Sequence, residues 1–253
     1  MNRLLPAWVG LVPLVLVLIV WQLAVPAASP NFPPPLAWWR SLLAMAQAGV
    51  LLPAVFETLW TFLAGLAIAI VAGFGLGVLI GTVRQVRDWS ALILEFMRAL
   101  PPPVVVPIAV LMMGFAPAMK LTVIAITAAW PILLNTVAGV QAVPPLLSDV
   151  GRSMHMPWHE RVLRIVVPAT VPALLVGVRV AVALAIVITL LIEIFTSLPG
   201  IGVLMVQGQR NYNSAQVFGL LGLVGVLAYC LTIVFALIEG LVLSRWPPRV
   251  ARR

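Results

Sequence analysis

Apolar residues fall in blocks too long for the helices of a soluble domain. Mainly apolar stretches cover 5–25, 58–82, 91–114, 121–140, 173–195 and 217–243. Each is close to or above the ~20 residues that a helix needs to cross the hydrocarbon core of a bilayer. The pattern predicts an all-α polytopic membrane protein with six transmembrane helices in a single domain over 1–253. The third block carries Pro101, Pro102 and Pro103. These remove amide donors and clash with the preceding turn, so this segment must be kinked or broken. Between the first two blocks, Phe32-Pro33-Pro34-Pro35 reads as extended and 36–47 as a short helix. Its Trp38 and Trp39 favour the headgroup boundary, as in an interfacial helix.

Composition agrees. Hydrophobic residues make up 63% of the chain and charged ones 9%, whereas a soluble domain needs about 25% charged residues to wet its surface. A net charge of +8 on a soluble protein would point to nucleic acid; here the basic residues sit between the apolar blocks and no nucleic-acid partner is expected. Arg3, the group Arg84, Arg87 and Arg98, the group Arg152, Arg161 and Arg164, and the tail Arg245, Arg249, Arg252 and Arg253 alternate with segments holding only Arg40, Lys120 and Arg210. That is eleven against three, with Arg179 inside a block. The asymmetry predicts both termini in the cytoplasm. Arg3, an apolar core and Ala27-Ala28-Ser29 resemble a signal peptide loosely, but the apolar run is long and is read as an uncleaved first span.

Small residues recur every fourth position in the second span, at Gly65, Ala69, Gly73, Gly77 and Gly81. At 3.6 residues per turn they form one groove, in which a second helix can approach closely. The expectation is a tight seam, within the subunit or between two subunits, set against the plain abundance of glycine in membrane helices. Arg179 and Glu193 lie fourteen positions apart in the fifth block, about 21 Å along a helix, so they cannot pair with each other. A membrane charge commonly faces the bundle interior or a water path. Arg179 can instead snorkel to headgroups, and Glu193 can cap the loop that follows it.

Enzymatic chemistry finds no support. Lys120, the only lysine, follows Met119 without a glycine loop, so no P-loop binds a nucleotide. His155 and His159 have the i, i+4 spacing of a metal pair, but Asp149 and Glu160 complete no zinc set, and no metal is expected. Cys230 stands alone, which excludes a disulfide framework. No catalytic serine–histidine or paired-carboxylate arrangement is present.

The polar segment 141–168 carries the most informative pattern. Pro144 and Pro145 open it, Asp149 has the side chain to favour a helix start, and Pro157 forces a break before a second short amphipathic helix. This arrangement resembles the EAA loop of binding-protein-dependent ABC importer permeases: Glu-Ala-Ala, three residues, Gly, nine residues, then Ile-x-Leu-Pro. The motif falls on Asp149, Val150, Gly151, His155, Ile165, Val167 and Pro168, with His155 in the glycine position. Further segments resemble the nitrate/sulfonate/taurine branch in order and spacing. They are Phe32-Pro33-Pro34-Pro35, Arg98-Ala99-Leu100-Pro101 with Pro107, Met113-Gly114-Phe115 with Lys120, and Trp130-Pro131-Ile132 with Asn135-Thr136. Pro168 to Pro172, Gly177-Val178-Arg179, Glu193 and Gly200-Ile201-Gly202 follow.

The resemblance implies a type I ABC importer permease in the bacterial inner membrane. An external binding protein would deliver a small solute, such as a sulfonate, taurine or nitrate, to a permease dimer. The loop 141–168 would be a cytoplasmic coupling helix fitted to one of two ATPase subunits. ATP and Mg would be bound there and no cofactor by this chain. Arg98, Met112, Met113, Asn135, Thr136, Arg179 and Glu193 are the candidates for the translocation path. A secondary transporter or channel working without an ATPase is the competing reading, since broken helices near mid-membrane occur there too.

Overall fold

A computed structural model describes residues 11–26 and 29–244, and these are helical with no strand among them. Helix α1 covers Leu11–Ala24, α2 Pro35–Gln47, α3 Leu51–Thr82, α4 Arg84–Ala99, α5 Val105–Met113 and α6 Pro117–Gln141. Then come α7 Pro145–Ser153, α8 Trp158–Arg161, α9 Val167–Thr196, α10 Ile201–Arg210 and α11 Ser214–Leu243. A 3₁₀ turn at Pro102–Val104 leads into α5, and a π turn at Val162–Val166 joins α8 to α9. Arg3 and the basic tail Arg245, Arg249, Arg252 and Arg253 lie outside the described residues, as does the start of the block predicted at 5–25.

Four helical stretches are long and apolar enough to cross a membrane: Leu51–Thr82, Pro117–Gln141, Trp158–Thr196 and Ser214–Leu243. The segments Arg84–Met97 and Pro102–Met113 add a fifth if the pair is taken as one, and they meet at 89°. The prolines at 101–103 therefore break the third block, as their missing donors require. Trp158–Thr196 is longer than the predicted 173–195. Pro168 and Pro172 do not interrupt it, because Pro168 falls in the opening turn of α9, directly after the π turn, where the ladder is already rearranged.

The chain forms two compact units whose boundaries fall inside α3, between α9 and α10, and inside α11. One holds the residues up to Thr58 together with Pro199–Leu227. Its centre is aromatic: Trp38 stacks on Phe218 with ring centroids 5.5 Å apart, and Trp21 meets Trp38 edge-on at 5.0 Å. The Trp38 indole N–H donates to the Pro33 carbonyl at 2.7 Å, and the Leu36 amide donates to Gln22 Oε1 at 2.8 Å, which ties the start of α2 to α1. The predicted helix over 36–47 is thus present, with Trp39 exposed and Trp38 engaged in the cluster. The Ile201 amide, at the head of α10, donates to Thr58 Oγ1 at 2.9 Å.

The other unit, Leu59–Leu198 with the chain from Ala228 on, is built around α6. Gly65, Gly73, Gly77 and Gly81 of α3 lie directly on Ile124, Ile132, Thr136 and Val140 of α6. A Cβ at Gly77 would come within 2.6 Å of Thr136 Cβ, and one at Gly65 within 2.4 Å of Ile124 Cγ2. The small-residue groove is therefore a seam within the subunit, and Ala69 on the same stripe is completely buried. The pairings advance together along both chains, so α3 and α6 run parallel. On its other side α6 runs antiparallel to α9, where Gly177 sits on the Pro131 carbonyl and Gly139 on Ala173. Without glycine at these positions the backbones could not come close enough for dispersion contacts to hold them in lipid.

Candidate functional site

The segment predicted as a coupling loop folds as helix, turn and helix. Pro145 occupies the first turn of α7 with Pro144 as its N-cap, so the helix begins four residues before Asp149. The expected capping role of Asp149 is thereby corrected. Proline is pre-organised for that position and lacks an amide that would need a partner. Asp149 instead lies at the middle of α7, exposed, with Oδ1 3.7 Å from Arg152 Nη1.

The end of α7 explains the motif. His155 adopts φ 55°, the left-handed region. Its amide donates to the Arg152 carbonyl at 2.9 Å, and the Met156 amide to the Gly151 carbonyl at 3.0 Å. These two bonds make a Schellman ending with His155 at the position where glycine is the usual residue. Histidine is among the side chains that tolerate this conformation. Pro157 then caps α8. Gly151 is buried, and a Cβ there would lie 3.0 Å from Ile165 Cδ1 and 3.1 Å from Arg161 Cδ. Gly151, His155, Pro157 and Ile165 thus define one compact corner, while Val150 on α7 stays exposed. Val167 and Pro168 start α9, so the corner continues directly into the Trp158–Thr196 rod.

The candidates for the path do not share one surface. Glu193 is completely buried near the end of α9, and its Oε1 accepts from Lys120 Nζ at 2.8 Å, the lysine being 2% exposed. Lys120 reads as a loop residue in the sequence, yet it stands in the first turn of α6. Arg179, 62% exposed at its side chain, donates from Nε to Glu239 Oε2 at 3.2 Å and also through Nη2. Glu239 on α11 is 7% exposed and was not picked out by its sequence context; as a lone carboxylate inside an apolar block it carried the signal of a paired group.

Asn135 Nδ2 donates to the Pro131 carbonyl at 2.8 Å, a local bond inside α6. Thr136 is completely buried in the seam against Gly77. Met112 and Met113 are both exposed on α5. Arg98 belongs to the last turn of α4, and its side chain lies outside those described. A cavity of about 210 Å³ opens at the bend, between Met97, Leu100, Pro102, Val105, Trp130, Pro131, Leu134 and Leu184. Its one polar lining residue, Thr127, has its hydroxyl engaged with the Val123 carbonyl at 2.7 Å. No charged side chain lines it to hold an anion. Among the described residues no cluster of histidine, cysteine or carboxylate suits a metal ion.

Comparison with known proteins agrees with this architecture. A nitrate import permease protein, NrtB, of Synechocystis sp. is 27% identical over 91% of this chain and 87% of its own length. The bicarbonate transport system permease protein CmpB of Synechococcus elongatus is 31% identical over 83% of this chain and 81% of its own. Among solved structures, an inward-facing MetNI methionine ABC transporter matches with a TM-score of 0.68 over 78% of this chain and 98% of that one, at 18% identity, a likeness of fold. The family model described as binding-protein-dependent transport system inner membrane component matches residues 65–246, a region that includes the Gly65–Gly81 seam, α6, α9 and the Gly151–Ile165 corner. The chain therefore belongs to that family and is a multi-pass permease subunit of an ABC importer.

Proposed function

We propose that this permease forms half of the path of an importer for a small anion, inorganic or organic, such as nitrate, bicarbonate, a sulfonate or taurine. An external binding protein hands the solute over, a second copy of the chain completes the path, and two cytoplasmic ATPase subunits bind ATP and Mg and drive it. The chain makes six crossings with both termini in the cytoplasm, the third passing through the proline break at 101–103. The loop 141–168 then faces the cytoplasm, where its corner docks on an ATPase.

The observation that carries this reading is the corner itself. Gly151 packed on Ile165, a Schellman turn at His155 and a helix continuous from Trp158 to Thr196 make a short stiff lever. A rod of 39 residues is about 58 Å long, well beyond the ~30 Å of the hydrocarbon core. A push on α7 passes through the packed corner, and from Trp158 on no loop interrupts the helix into the membrane part of α9. The substrate class rests on the names of the relatives, which are permeases for nitrate, bicarbonate and sulfonates.

Two measurements test the proposal. The permease is purified from its source membrane and the mass of the intact complex determined; the expected species holds two permease chains and two ATPase subunits. Reconstituted with its binding protein, the complex should take up labelled anion only with ATP inside. Uptake driven by an ion gradient, with no ATPase in the particle, would replace this proposal with the secondary-transporter reading.

A further inference from the structure

Helix α4 presents three separate faces. Val86, Ser90, Leu94 and Met97 are half-buried and, one turn apart, form the stripe that packs on the protein, with Met97 in the wall of the cavity. The exposed remainder divides along the helix. Trp89, Leu92, Ile93 and Phe96 make one exposed apolar stripe, with the exposed Gln85 at its N-terminal end. Arg84, Asp88, Ala91 and Glu95 make the other, also exposed, with Asp88 Oδ2 3.6 Å from Arg84 Nε. A helix that crossed the bilayer would need an apolar surface wherever it met lipid, because each charge at depth costs several kcal/mol, about 2.5–3.5 on insertion scales. This helix instead exposes an apolar stripe and a charged stripe side by side along its length.

The geometry of the core frees α4 from crossing. Because α3 and α6 are parallel, the chain between them must return from the level of Gly81 and Val140 to that of Pro117, about 35 Å by helical rise along α6. The 3₁₀ turn and α5 supply about 19 Å of that rise. Leu100, Pro101 and the stretch 114–116, extended at Leu100, Pro101 and Ala116, supply up to about 16 Å. At full extension these segments match the return, so α4 need supply no rise, and its 89° angle to the α5 segment points it across the path instead of along it.

We propose that α4 lies in the membrane surface, with the lipid headgroup and upper acyl region as its partner. Trp89, Leu92, Ile93 and Phe96 enter the acyl boundary, and Arg84, Asp88 and Glu95 face water and headgroups. The third crossing is then made by residues 100–116 alone, which refines the six-span reading and rests on it for the side of the membrane only. In-plane helices with one apolar and one charged face bind in this way, with aromatic residues at the boundary. Lipid is favoured over a second protein because the exposed apolar stripes of α4 and of α5, at Ile108, Leu111 and Met112, both belong to a chain whose surroundings are hydrocarbon.

The test uses the full complex in vesicles of phosphatidylethanolamine and phosphatidylglycerol, with Cys230→Ser as background. Single cysteines replace Leu92, Ile93, Phe96, Asp88, Ala91 and Glu95 in turn and carry a nitroxide. Oxygen collisions should exceed those of a water-soluble nickel chelate at 92, 93 and 96, and the order should reverse at 88, 91 and 95. Oxygen dominance at all six positions would mean that α4 crosses. Low access to both reagents at 92, 93 and 96, with broadening between labels, would mean that a second copy covers it. Either result overturns the proposal. A second reading avoids labels: the fluorescence removed by Trp89→Phe should be quenched best by lipids brominated near the glycerol end of the chain. Best quenching by bromine near the chain terminus, or none at all, would also overturn it.

Discussion

Lys120 and Glu193 form a buried ion pair, Nζ to Oε1 at 2.8 Å, between the first turn of α6 and the last turns of α9. Both side chains are essentially inaccessible. The pair fixes the ends of two antiparallel helices at one level and places Glu193, a path candidate from the sequence, in the buried core. Removing one partner breaks a buried ion pair, which typically costs about 3–5 kcal/mol, whereas replacing both with apolar residues of similar volume is often neutral. Lys120→Met and Glu193→Gln should each lower the melting temperature of the detergent-solubilised complex strongly. Lys120→Met combined with Glu193→Met should recover most of the loss. Singles that melt like the parent would show that the pair does not hold α6 to α9.

The α3–α6 seam allows a comparison within one helix. A Cβ at Gly77 meets Thr136 Cβ at 2.6 Å and the Leu133 carbonyl at 3.0 Å, and the carbonyl cannot move aside; at Gly75 nothing lies within 4 Å. Overpacking of this kind costs about 1–3 kcal/mol, while alanine at an open helical site gains up to about 1 kcal/mol over glycine. Gly77→Ala should therefore destabilise and Gly75→Ala should be neutral or better, as read by thermal unfolding. The same sign for both would remove the seam as the explanation.

These examples show what the sequence made legible. The seam could be read because a four-residue repeat of small side chains fixes one helix face, whatever packs on it. The break in the third block could be read because three consecutive prolines remove donors locally. Partners could not be read. Nothing within α11 says that Glu239 will meet Arg179, because that encounter is set by how α9 and α11 pack. Lys120 looked like a loop charge because it follows Gly114 and Pro117, yet Pro117 opens α6 and carries Lys120 into its first turn. Asp149 was placed at a helix start because an acid favours that position, but Pro145 had started the helix earlier. Helix α10 was hidden behind Gly200 and Gly202, which read as a loop.

The turn at His155 predicts a gain of stability from a substitution. A non-glycine residue in the left-handed region carries a cost of about 1–2 kcal/mol, and His155 sits there at φ 55°. His155→Gly should preserve the Schellman bonds to Gly151 and Arg152 and raise thermal stability, with ATP-dependent uptake retained. His155→Val should lower both, since a β-branched side chain is poorly suited to positive φ. Loss of uptake in His155→Gly would show that the imidazole itself contacts the ATPase.

Asp149→Arg becomes a cleaner probe of docking than its sequence position implied. The side chain is exposed and its one described ion pair is to Arg152 at 3.7 Å, an interaction of at most about 1 kcal/mol. The variant should melt close to the parent. If α7 enters an ATPase groove, reversing this charge should nevertheless reduce the ATPase recovered with the permease and the uptake it drives. Unchanged recovery and uptake would place the docking contact elsewhere on the corner.

The Arg179–Glu239 pair is unequal, and the inequality predicts which substitution does more harm. Glu239 is 7% exposed, whereas the Arg179 side chain is 62% exposed. Arg179→Gln would leave a carboxylate buried on α11 without its guanidinium, and an unsatisfied buried group costs about 1–3 kcal/mol when neutral and more when charged. Glu239→Gln would leave a guanidinium that already reaches outward and can be hydrated or find headgroups, a loss of about 1 kcal/mol or less. Thermal unfolding should therefore rank Arg179→Gln well below Glu239→Gln. Transport separates structure from path. With its partner neutralised but its positive charge in place, Glu239→Gln should keep anion uptake near the parental rate. If Arg179 also attracts the solute, Arg179→Gln combined with Glu239→Gln, which leaves no buried charge, should restore stability while uptake stays low. Uptake that returns with stability in the double variant would assign Arg179 to helix packing alone.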